Sequence, residues 1–578
     1  MGIVSKRPSD TSHSDYRVPE GSPDMSSLAC SEFGLDSRTG FLPTQVPLAR
    51  LPAAFDQWED ALQDAMVILK HPGDSEDPPP TDEEREQSLQ WRERLQRMEV
   101  ICIESIKSDL RASQRAHHVL AFLVQFYVQS LPPRAEADTG PIRIPKSLAI
   151  PIVDVSRHLD IAPILTYADC VLWNFYLEDP SKPLTLENIR IRDLFTKDYQ
   201  EEHFFLTSAR IEVRGFEAIQ LMGDAIAMIR KAQETSTAID ETCLQDTLAR
   251  LAIVIDDLNR ILWSVRDACG YQFFYWIFRP WIRGTDQGYG SPKWMYEGVD
   301  GEGIEFQCSG PSAGQAALMH AFDVFLGIGH PQKNDRYSPT CTGMRVHPSY
   351  DPHGDDQTCP ASSTKSLSVT TCPVTGKSSS SPTEMSDELR SFLLDESVYL
   401  TPPPEKAELA ITLPSKPLIS SERSPELPTP PSSPVLRTTT PTRGEVPKLQ
   451  PQTDLDTSFI VRMRKYIPGN HQQFLLRLAS SNIRPHVAAC SASGVRRAYN
   501  DCVWAIKRFR DSHIKIVTLY VIHPARSKVL VKDAKVESAP VRGTGGTSLV
   551  PPAQGIPKQH RQYYASDQLI FHSTPTTD

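Results

Sequence analysis

The histidine at position 513 is the residue whose setting first suggests chemistry. It lies in the stretch RFRDSHIKIVTLYVIHP, where apolar residues recur at steps of three and four, the period of one helix face. His513 continues that series, four residues after Phe509 and four before Val517. The pattern predicts an amphipathic helix that points His513 inward. Taken alone, the helix favours a hydrogen-bonded core histidine over a metal ligand, although imidazole is the commonest protein ligand of metals.

Three other stretches contain residue types found in functional sites, but none of them indicates a function by itself. Four possible zinc ligands recur at intervals of six positions, namely Cys341, His347, His353 and Cys359. Zinc motifs usually pair their ligands at gaps of two to four residues, so we expect no zinc site there. The aromatic run FYWIF has the composition of a core segment, and GTGGT that of a flexible turn.

The composition narrows the class of protein. The chain has 578 residues and a formal net charge of −10 with both signs spread throughout, which argues against a dedicated nucleic-acid binder. Its eleven cysteines follow no fixed spacings and no secretory signal precedes them, which favours reduced thiols. No apolar run approaches the ~18 residues of a membrane span. We expect a cytoplasmic protein that binds neither nucleic acid nor membranes.

Helical periodicity dominates the parts of the chain that can form a core. Apolar residues recur at three- and four-residue steps from about residue 48 to residue 130, and again in two long regions that begin near residues 203 and 241. The sequence TDEE at residues 81–84 has the form of a capped helix start. Few strands are indicated, so the predicted fold class is all-α.

Two stretches lack this periodicity. The first 46 residues are rich in Ser, Pro, Asp and Gly, and residues 330–457 are crowded with Ser, Thr and Pro. We predict a disordered tail and a long disordered insertion. Ser-Pro and Thr-Pro pairs in the insertion suggest kinases or docking proteins as partners, but such pairs are equally typical of any Pro/Ser-rich linker. Roughly 400 residues remain, enough for two helical domains.

Six blocks, taken together and in order, resemble the indoleamine 2,3-dioxygenase family of haem enzymes. They are LTYADCVLWNF (165–175), HFFLTS (203–208), FYWIFRPWIRG (274–284), GPSAGQ (310–315), RDSHIKIVTLYVIHP (510–524) and GTGGT (543–547). Each block is a weak signal alone. The resemblance rests on six ordered blocks at fitting intervals.

The resemblance implies a small helical N-terminal domain and a larger helical domain that holds haem b. The implied divisions of this chain are a disordered tail at 1–46, a small helical domain at 47–145, the two parts of the haem domain at 146–329 and 458–549, the insertion at 330–457 and a flexible C-terminal tail at 550–578.

Two residues are implied to hold the haem from the last long helix. His513 matches the proximal iron ligand, which leaves the opposite face of the haem open for oxygen. Arg510, one turn earlier, matches a residue near the propionates, where a guanidinium would make charge-assisted hydrogen bonds. Ser312 and Ala313 would lie over the haem edge.

The resemblance also implies a pocket for an indole substrate. Its implied lining is Tyr167, Cys170, Val171, Phe204, Phe274, Ile282, Ser312 and Ala313. Phe204 and Ser208 lie four residues apart, so both can reach one cavity, where Ser208 would offer a hydroxyl. Arg279 would bind the substrate carboxylate with its planar fork. Thr544 would take part in closing the GTGGT loop over the substrate. The resemblance assigns the catalytic roles to Ser208 and Arg279.

The implied reaction is the opening of the pyrrole ring of L-tryptophan, or a related indoleamine, by O2 to give N-formylkynurenine. This is the first step of the kynurenine route toward NAD. Haem supplies the oxygen chemistry, a reductant keeps its iron ferrous, and the protein supplies the ligand and the orientation. We expect a monomer. Two alternatives stay open: a haem protein that binds or senses oxygen with little turnover, and an interaction scaffold that works through the insertion. Arg279 and Thr544 favour the enzyme, because an oxygen carrier needs no carboxylate clamp.

Deletion of residues 340–450 is expected to leave haem content and turnover close to those of the parent. This stretch has too few apolar residues to belong to a core. Haem absorbance per protein and the rate of product formation, measured on both proteins, test this expectation. A deletion variant that failed to fold would show that the stretch is structural.

Overall fold

Helices form most of the described chain. The computed structural model describes residues 33–36, 38–72, 80–134, 138–285, 292–329 and 459–525. The α-helices of these ranges are α1 (Asp56–Ile68), α2 (Asp82–Arg97), α3 (Leu110–Gln129), α4 (Lys146–Leu159), α5 (Tyr199–Thr235), α6 (Glu241–Trp263), α7 (Val265–Ala268), α8 (Ala317–Leu326), α9 (Phe459–Met463), α10 (Gly469–Ala479), α11 (Arg484–Ala489) and α12 (Ser493–Val517). The predicted all-α class is confirmed.

The strands are short and lie at the margins of the helical core. They are β1 (Ile142–Ile144), β2 (Phe175–Leu177), β3 (Ile189–Ile191), β4 (Trp294–Tyr296) and β5 (Ile304–Phe306). β4 pairs with β1 in parallel and with β5 antiparallel, while β2 and β3 form a separate antiparallel pair. Strands of three residues add little stability. Their part is to hold the connections between helices in place.

The capped helix start at TDEE is confirmed. Thr81 accepts a hydrogen bond from the backbone of Glu84, and the Glu84 carboxylate accepts one from the backbone of Thr81, which is a complete capping box. α2 ends at Arg97, and Met98 is extended. The residues that follow, EVICIESI, include β-branched side chains, which disfavour helix.

The centre of the fold is a layer made by α5, α6 and α12. α12 packs along α6, and α5 packs on α6. Arg508 pairs with Asp256, and the Trp263 indole nitrogen donates to Ser512 Oγ at 2.9 Å, so the two helices run in the same direction. α12 follows the predicted insertion in the chain. It nevertheless packs on α6, a helix more than 200 residues earlier in the sequence, as the pairs 256/508 and 263/512 show.

The predicted disordered tail is wrong over its last residues. Phe33, Leu35, Phe41 and Leu42 are buried. The rings of Phe33 and Phe41 contact Phe474 of α10, with centroids 6.3 and 5.5 Å apart. These apolar residues occur in a segment with no repeat, so periodicity gives no sign of their burial. The segment is an arm docked on α10.

Several predictions fall outside the described residues. The chain divides into two units, residues 1–338 with 452–578, and residues 339–451, and every described residue belongs to the first. The start of the tail, the insertion with its cysteines and histidines, the GTGGT loop and the C-terminal tail are not among the described residues. The boundary between a small and a large domain stays a prediction. In the described part of the chain, no helix has the length and apolar content to cross a membrane.

Candidate functional site

One face of α5 carries three residues that organise the site. Phe204, Ser208 and Glu212 follow one another at four-residue steps, so their side chains lie along one side of the helix. α5 begins at Tyr199, where the Asp198 carboxylate caps the first turn by accepting from the backbone of Gln200. Phe204 and Ser208 are half-buried, whereas Glu212 is buried.

An aromatic cluster lies at the Phe204 end of this row. The ring of Phe204 contacts those of Phe274 and Phe278, with centroids 4.9 and 5.5 Å apart. Phe274 also contacts Tyr520 at 5.6 Å, and the Tyr520 hydroxyl donates to the carbonyl of Cys269. Tyr520 lies seven residues after His513. The cluster therefore joins the predicted substrate residues on α5 to the chain that carries the predicted iron ligand.

Three π-helical turns carry residues of this site. The backbone nitrogens of Trp173, Arg279 and His523 each donate to the carbonyl five residues earlier. The first turn holds Cys170 and Val171, the second Phe274, and the third Tyr520. Single π turns are rare and are frequently found at functional sites. Each one re-aims the side chains of its own turn relative to a regular helix.

Arg279 and Ile282 lie in the short 3-10 turn that follows the second π turn, and both are buried. The Arg279 guanidinium lies over the Tyr275 ring at 5.4 Å. Burial, followed by the charge of Arg283, lowers the pKa of Arg279 to about 10. A buried cation in this state gains stability from an anionic ligand, since a carboxylate offsets the cost of desolvation.

Two neighbouring elements hold the Arg279 turn in place. On one side, Gln125 of α3 donates to the carbonyls of Trp281 and Arg283 at 2.6 and 2.8 Å. On the other side, a Cβ at Gly284 would lie 2.3 Å from the backbone nitrogen of Gly310, so this close approach requires glycine. The approach brings the start of GPSAGQ beside the Arg279 turn.

Tyr167 is fixed at both ends by hydrogen bonds. Its backbone nitrogen donates to Gln315 Oε1 at 2.8 Å, and Gln315 Nε2 donates to the carbonyl of Gly310 at 2.9 Å. Its hydroxyl donates to Glu212 Oε1 at 2.8 Å. Burial raises the pKa of Glu212 to about 7, and the hydrogen bond from Tyr167 opposes this. The predicted blocks around Tyr167, Ser208 and Ser312 therefore meet through Glu212 and Gln315.

Cys170 and Val171, which the resemblance assigns to the pocket, are both buried. Burial raises the pKa of the Cys170 thiol well above its ordinary value. The thiol is therefore protonated at neutral pH and acts as a small apolar surface rather than as a nucleophile.

Buried histidines of α3 hold the turn that carries Tyr167, Cys170 and Val171. His117 Nδ1 lies 2.7 Å from Asp169 Oδ1, and His118 Nδ1 lies 2.8 Å from the Asp169 carbonyl oxygen. His118 Nε2 also contacts Asp193, which is paired with Arg115 of α3. Arg115 makes two further hydrogen bonds to Glu59 of α1. This network joins α1 and α3 to the wall of the candidate pocket.

Replacing Arg115 with Leu is expected to lower the free energy of unfolding by roughly 3–5 kcal/mol, because it leaves two buried carboxylates without their cation. The pKa of Asp193 is raised by burial, but Arg115 and His118 overcome this and hold it below its ordinary range. A carboxylate with a depressed pKa stabilises the fold above its ordinary pKa of ~4, and this stabilisation is lost as the pH falls below that value. Urea unfolding at pH 7 measures the loss.

The matched control is Arg50→Leu. Arg50 pairs with Asp56 and Asp60 on the exposed surface of α1, so its loss should leave the unfolding midpoint close to the parent's. If both variants lost the same free energy of unfolding, the buried network would not contribute the stability predicted for it.

His513 lies on the inner face of α12 and fits an axial ligand. Val495, five turns earlier on the same face, is fully buried. Phe509 and Ile516 are buried as well, whereas His513 and Val517 are half-buried. The imidazole thus keeps an accessible edge within an apolar helix face. An imidazole with apolar neighbours is a suitable axial ligand for haem iron.

Arg510 has a different contact from the one that the resemblance implies. Its guanidinium lies 2.5 Å from Asp323 Oδ1 of α8, and Asp323 is buried. The ion pair ties α12 to α8 one turn before His513. A propionate would therefore share the guanidinium with Asp323.

Ser312 and Ala313 precede Gln315 in a 3-10 turn. The Ser312 hydroxyl accepts from the backbone of Gly314 at 3.2 Å and caps this turn. Ser312 is half-buried and Ala313 is exposed. Thr544 lies outside the described residues.

Comparison with known sequences identifies the family. The sequence model of the indoleamine 2,3-dioxygenase family matches residues 29–387 and 428–559. The chain belongs to the indoleamine 2,3-dioxygenase family. The break in the match, residues 388–427, falls within the predicted insertion.

The relatives extend over nearly the whole chain at low identity. An indoleamine 2,3-dioxygenase of Saccharomyces cerevisiae is 23% identical, covering 89% of this chain and 88% of its own length. Indoleamine 2,3-dioxygenase 1 of Mus musculus is 24% identical, covering 89% and 90%. A 6-hydroxytryptophan 2,3-dioxygenase of Fusarium equiseti is also 24% identical, covering 89% and 92%. The family makes the protein a dioxygenase-type oxidoreductase, while the relatives' names differ in substrate.

Three residues of this dioxygenase-family site were missed by sequence reasoning. Tyr520 and Gln315 lie inside blocks that signalled the family, but nothing in their types shows that they join other blocks. Glu212 had a signal: it continues the four-residue series of Phe204 and Ser208, and an acidic side chain that continues the buried side of a helix is unusual.

Proposed function

We propose that the protein is a haem-dependent dioxygenase that opens the pyrrole ring of L-tryptophan, or of a closely related indole amino acid, to give an N-formylkynurenine. Membership of the dioxygenase family supports the reaction class. The observation that carries the substrate is Arg279, a buried cation in the turn directly after the Phe204–Phe274–Phe278 cluster. An indole amino acid combines an aromatic ring with a carboxylate, and this arrangement matches both.

The haem would be held from α12. His513 would ligate the iron, and Arg510, shared with Asp323, would contact a propionate. Bound haem b would supply the binding and activation of O2. In the cell, a reductant would keep the iron ferrous, and we propose a cytoplasmic monomer that acts at the start of the kynurenine route toward NAD.

The chain's own residues would orient the substrate and exclude water. Phe204 and Phe274 would pack on the indole, and Arg279 would bind the carboxylate. Ser208, one turn along α5 from Phe204, would present its hydroxyl to the ring. The Tyr167–Val171 turn would form a dry wall, since Cys170 and Val171 are buried. Thr544 keeps the closing role that the resemblance implies.

The direct test is single turnover under controlled oxygen. The purified protein is loaded with haem, reduced anaerobically, and mixed with O2 and L-tryptophan, 6-hydroxytryptophan or tryptamine. Absorbance of the corresponding ring-opened N-formyl product, which is N-formylkynurenine for L-tryptophan, is followed for each. Product from an amino acid supports the proposal and names the substrate. Oxygen binding without product from any of the three would instead favour an oxygen carrier or sensor.

A further inference from the structure

Glu212 is a buried acidic residue to which the proposed chemistry assigns no task. It lies one turn after Ser208 on α5 and is 2% exposed. A carboxyl group in such surroundings costs free energy unless it makes hydrogen bonds. Burial accordingly raises its pKa to about 7. A residue that is costly to bury calls for an account of what it does there.

The contact that Glu212 makes is with the pocket wall itself. Its Oε1 accepts the hydrogen bond of the Tyr167 hydroxyl at 2.8 Å. Burial raises the pKa of Tyr167 well above its ordinary value, so the phenol stays protonated and is the donor. With Gln315 holding its backbone nitrogen, Tyr167 is tied at both ends. The ring between these two ties has little freedom to rotate or withdraw.

The same helix offers a useful comparison. Glu201 is also fully buried on α5, and burial raises its pKa to about 7 as well. Its carboxylate accepts from the backbones of Phe195 and Thr196 and from the Thr196 hydroxyl, so it stabilises a loop. The two carboxyl groups lie on the same helix, are both buried and have similarly raised pKa values. They differ in their partners, because Glu201 binds a loop and Glu212 binds the Tyr167 hydroxyl.

We propose that Glu212 is a positioning residue that fixes the Tyr167 ring in the wall of the substrate pocket, so that the pair determines how tightly the indole ring is held. This inference rests on the proposed function. Glu212 acts through Tyr167 and has no part in the oxygen chemistry.

The test compares five variants with the parent, each in the haem-loaded full chain with L-tryptophan. A typical hydrogen bond within a protein contributes about 0.5–1.5 kcal/mol, so losing this one should weaken binding of the indole substrate roughly two- to tenfold. Glu212→Ala and Tyr167→Phe are each expected to raise KM by that factor, with kcat changed less and with haem content retained. The double variant should resemble the single ones, because both remove the same bond.

Rescue by a conservative variant separates positioning from bulk stability. Glu212→Gln keeps an amide oxygen that can accept from Tyr167, so its KM should return close to the parent's. Glu201→Gln is the matched control and should leave KM unchanged, whatever it does to the unfolding midpoint.

Two results would overturn the inference, and they are distinguishable from failure of the proposed function. Parent turnover with an unchanged KM in Glu212→Ala shows that Glu212 does not position the wall. Additive effects in the double variant show that the two residues act separately. A parent that neither binds nor cleaves an indole amino acid overturns the proposed function, and this inference with it.

Discussion

Protein purified with His513→Ala is expected to contain little or no haem and to form no product. His513 is the one predicted iron ligand, and it lies four residues before the end of α12, with the apolar residues Phe509 and Val517 one turn away on either side. Without the imidazole, the proposed haem site would offer only apolar contacts and the proposed interaction of Arg510 with a propionate. Haem absorbance per protein and the position of the Soret band measure the result.

Two further variants serve as controls that could contradict this expectation. His523→Ala removes an exposed histidine from the same C-terminal segment and should retain haem, because His523 packs on Tyr271 at the surface. His513→Gly leaves room for free imidazole, whose addition should restore the haem spectrum in a protein that folds but lacks its ligand. An unchanged haem spectrum in His513→Ala would show that another residue binds the iron.

The periodicity of apolar residues predicts where the helices of this fold lie, but it does not predict where they are interrupted. α12 begins and ends close to where three- and four-residue periodicity predicts, because its buried face is continuous from Val495 to Ile516. The long predicted region after residue 241 is instead broken at Ser264 and again before Phe273, where a π turn begins. Nothing in the run FYWIF distinguishes a π turn from an α-helix. In the π turn, Phe274 packs against Phe204 and Tyr520, contacts that the sequence pattern does not show.

In the candidate site, the sequence likewise predicts which residues take part but not which side chains contact one another. Family-type blocks placed Tyr167, Phe204, Phe274 and Arg279 in the site, and the structure brings Phe204 and Phe274 into contact. The connections between blocks come from side chains whose partners are over a hundred residues away in the chain, such as Gln315 with Tyr167 and Gln125 with Trp281. Periodicity reports burial, not partners, so these ties required the three-dimensional structure.

The shared guanidinium of Arg510 is a further case. The sequence shows only that Arg510 is a cation one turn before His513, where the resemblance implies a contact with a propionate. In the structure it is an ion pair with the buried Asp323, which fixes its position and ties α12 to α8. A guanidinium has five donors, enough to serve two carboxylates. The ion pair with Asp323 therefore leaves the proposed contact between Arg510 and a propionate chemically possible.

Arg279→Ala is expected to lower kcat/KM for L-tryptophan by roughly ten- to a few-hundred-fold. A hydrogen bond to a charged group contributes about 1.5–3 kcal/mol, and each ~1.4 kcal/mol corresponds to a tenfold change. Haem content should survive, since Arg279 is not proposed as a haem ligand. Arg279→Lys keeps the charge but loses the planar fork, so its activity should lie between those of the parent and the alanine variant.

The decisive control is tryptamine, which has the indole ring but no carboxylate. If Arg279 acts as a clamp, its removal affects only substrates with a group to clamp, so the parent and Arg279→Ala should turn tryptamine over at similar rates. Because the Arg279 turn is held by Gln125 and by the approach of Gly284 to Gly310, the turn itself should survive the substitution. An equal loss with both substrates would mean that Arg279 supports the fold of the turn, and its assignment to the carboxylate would then have to be abandoned.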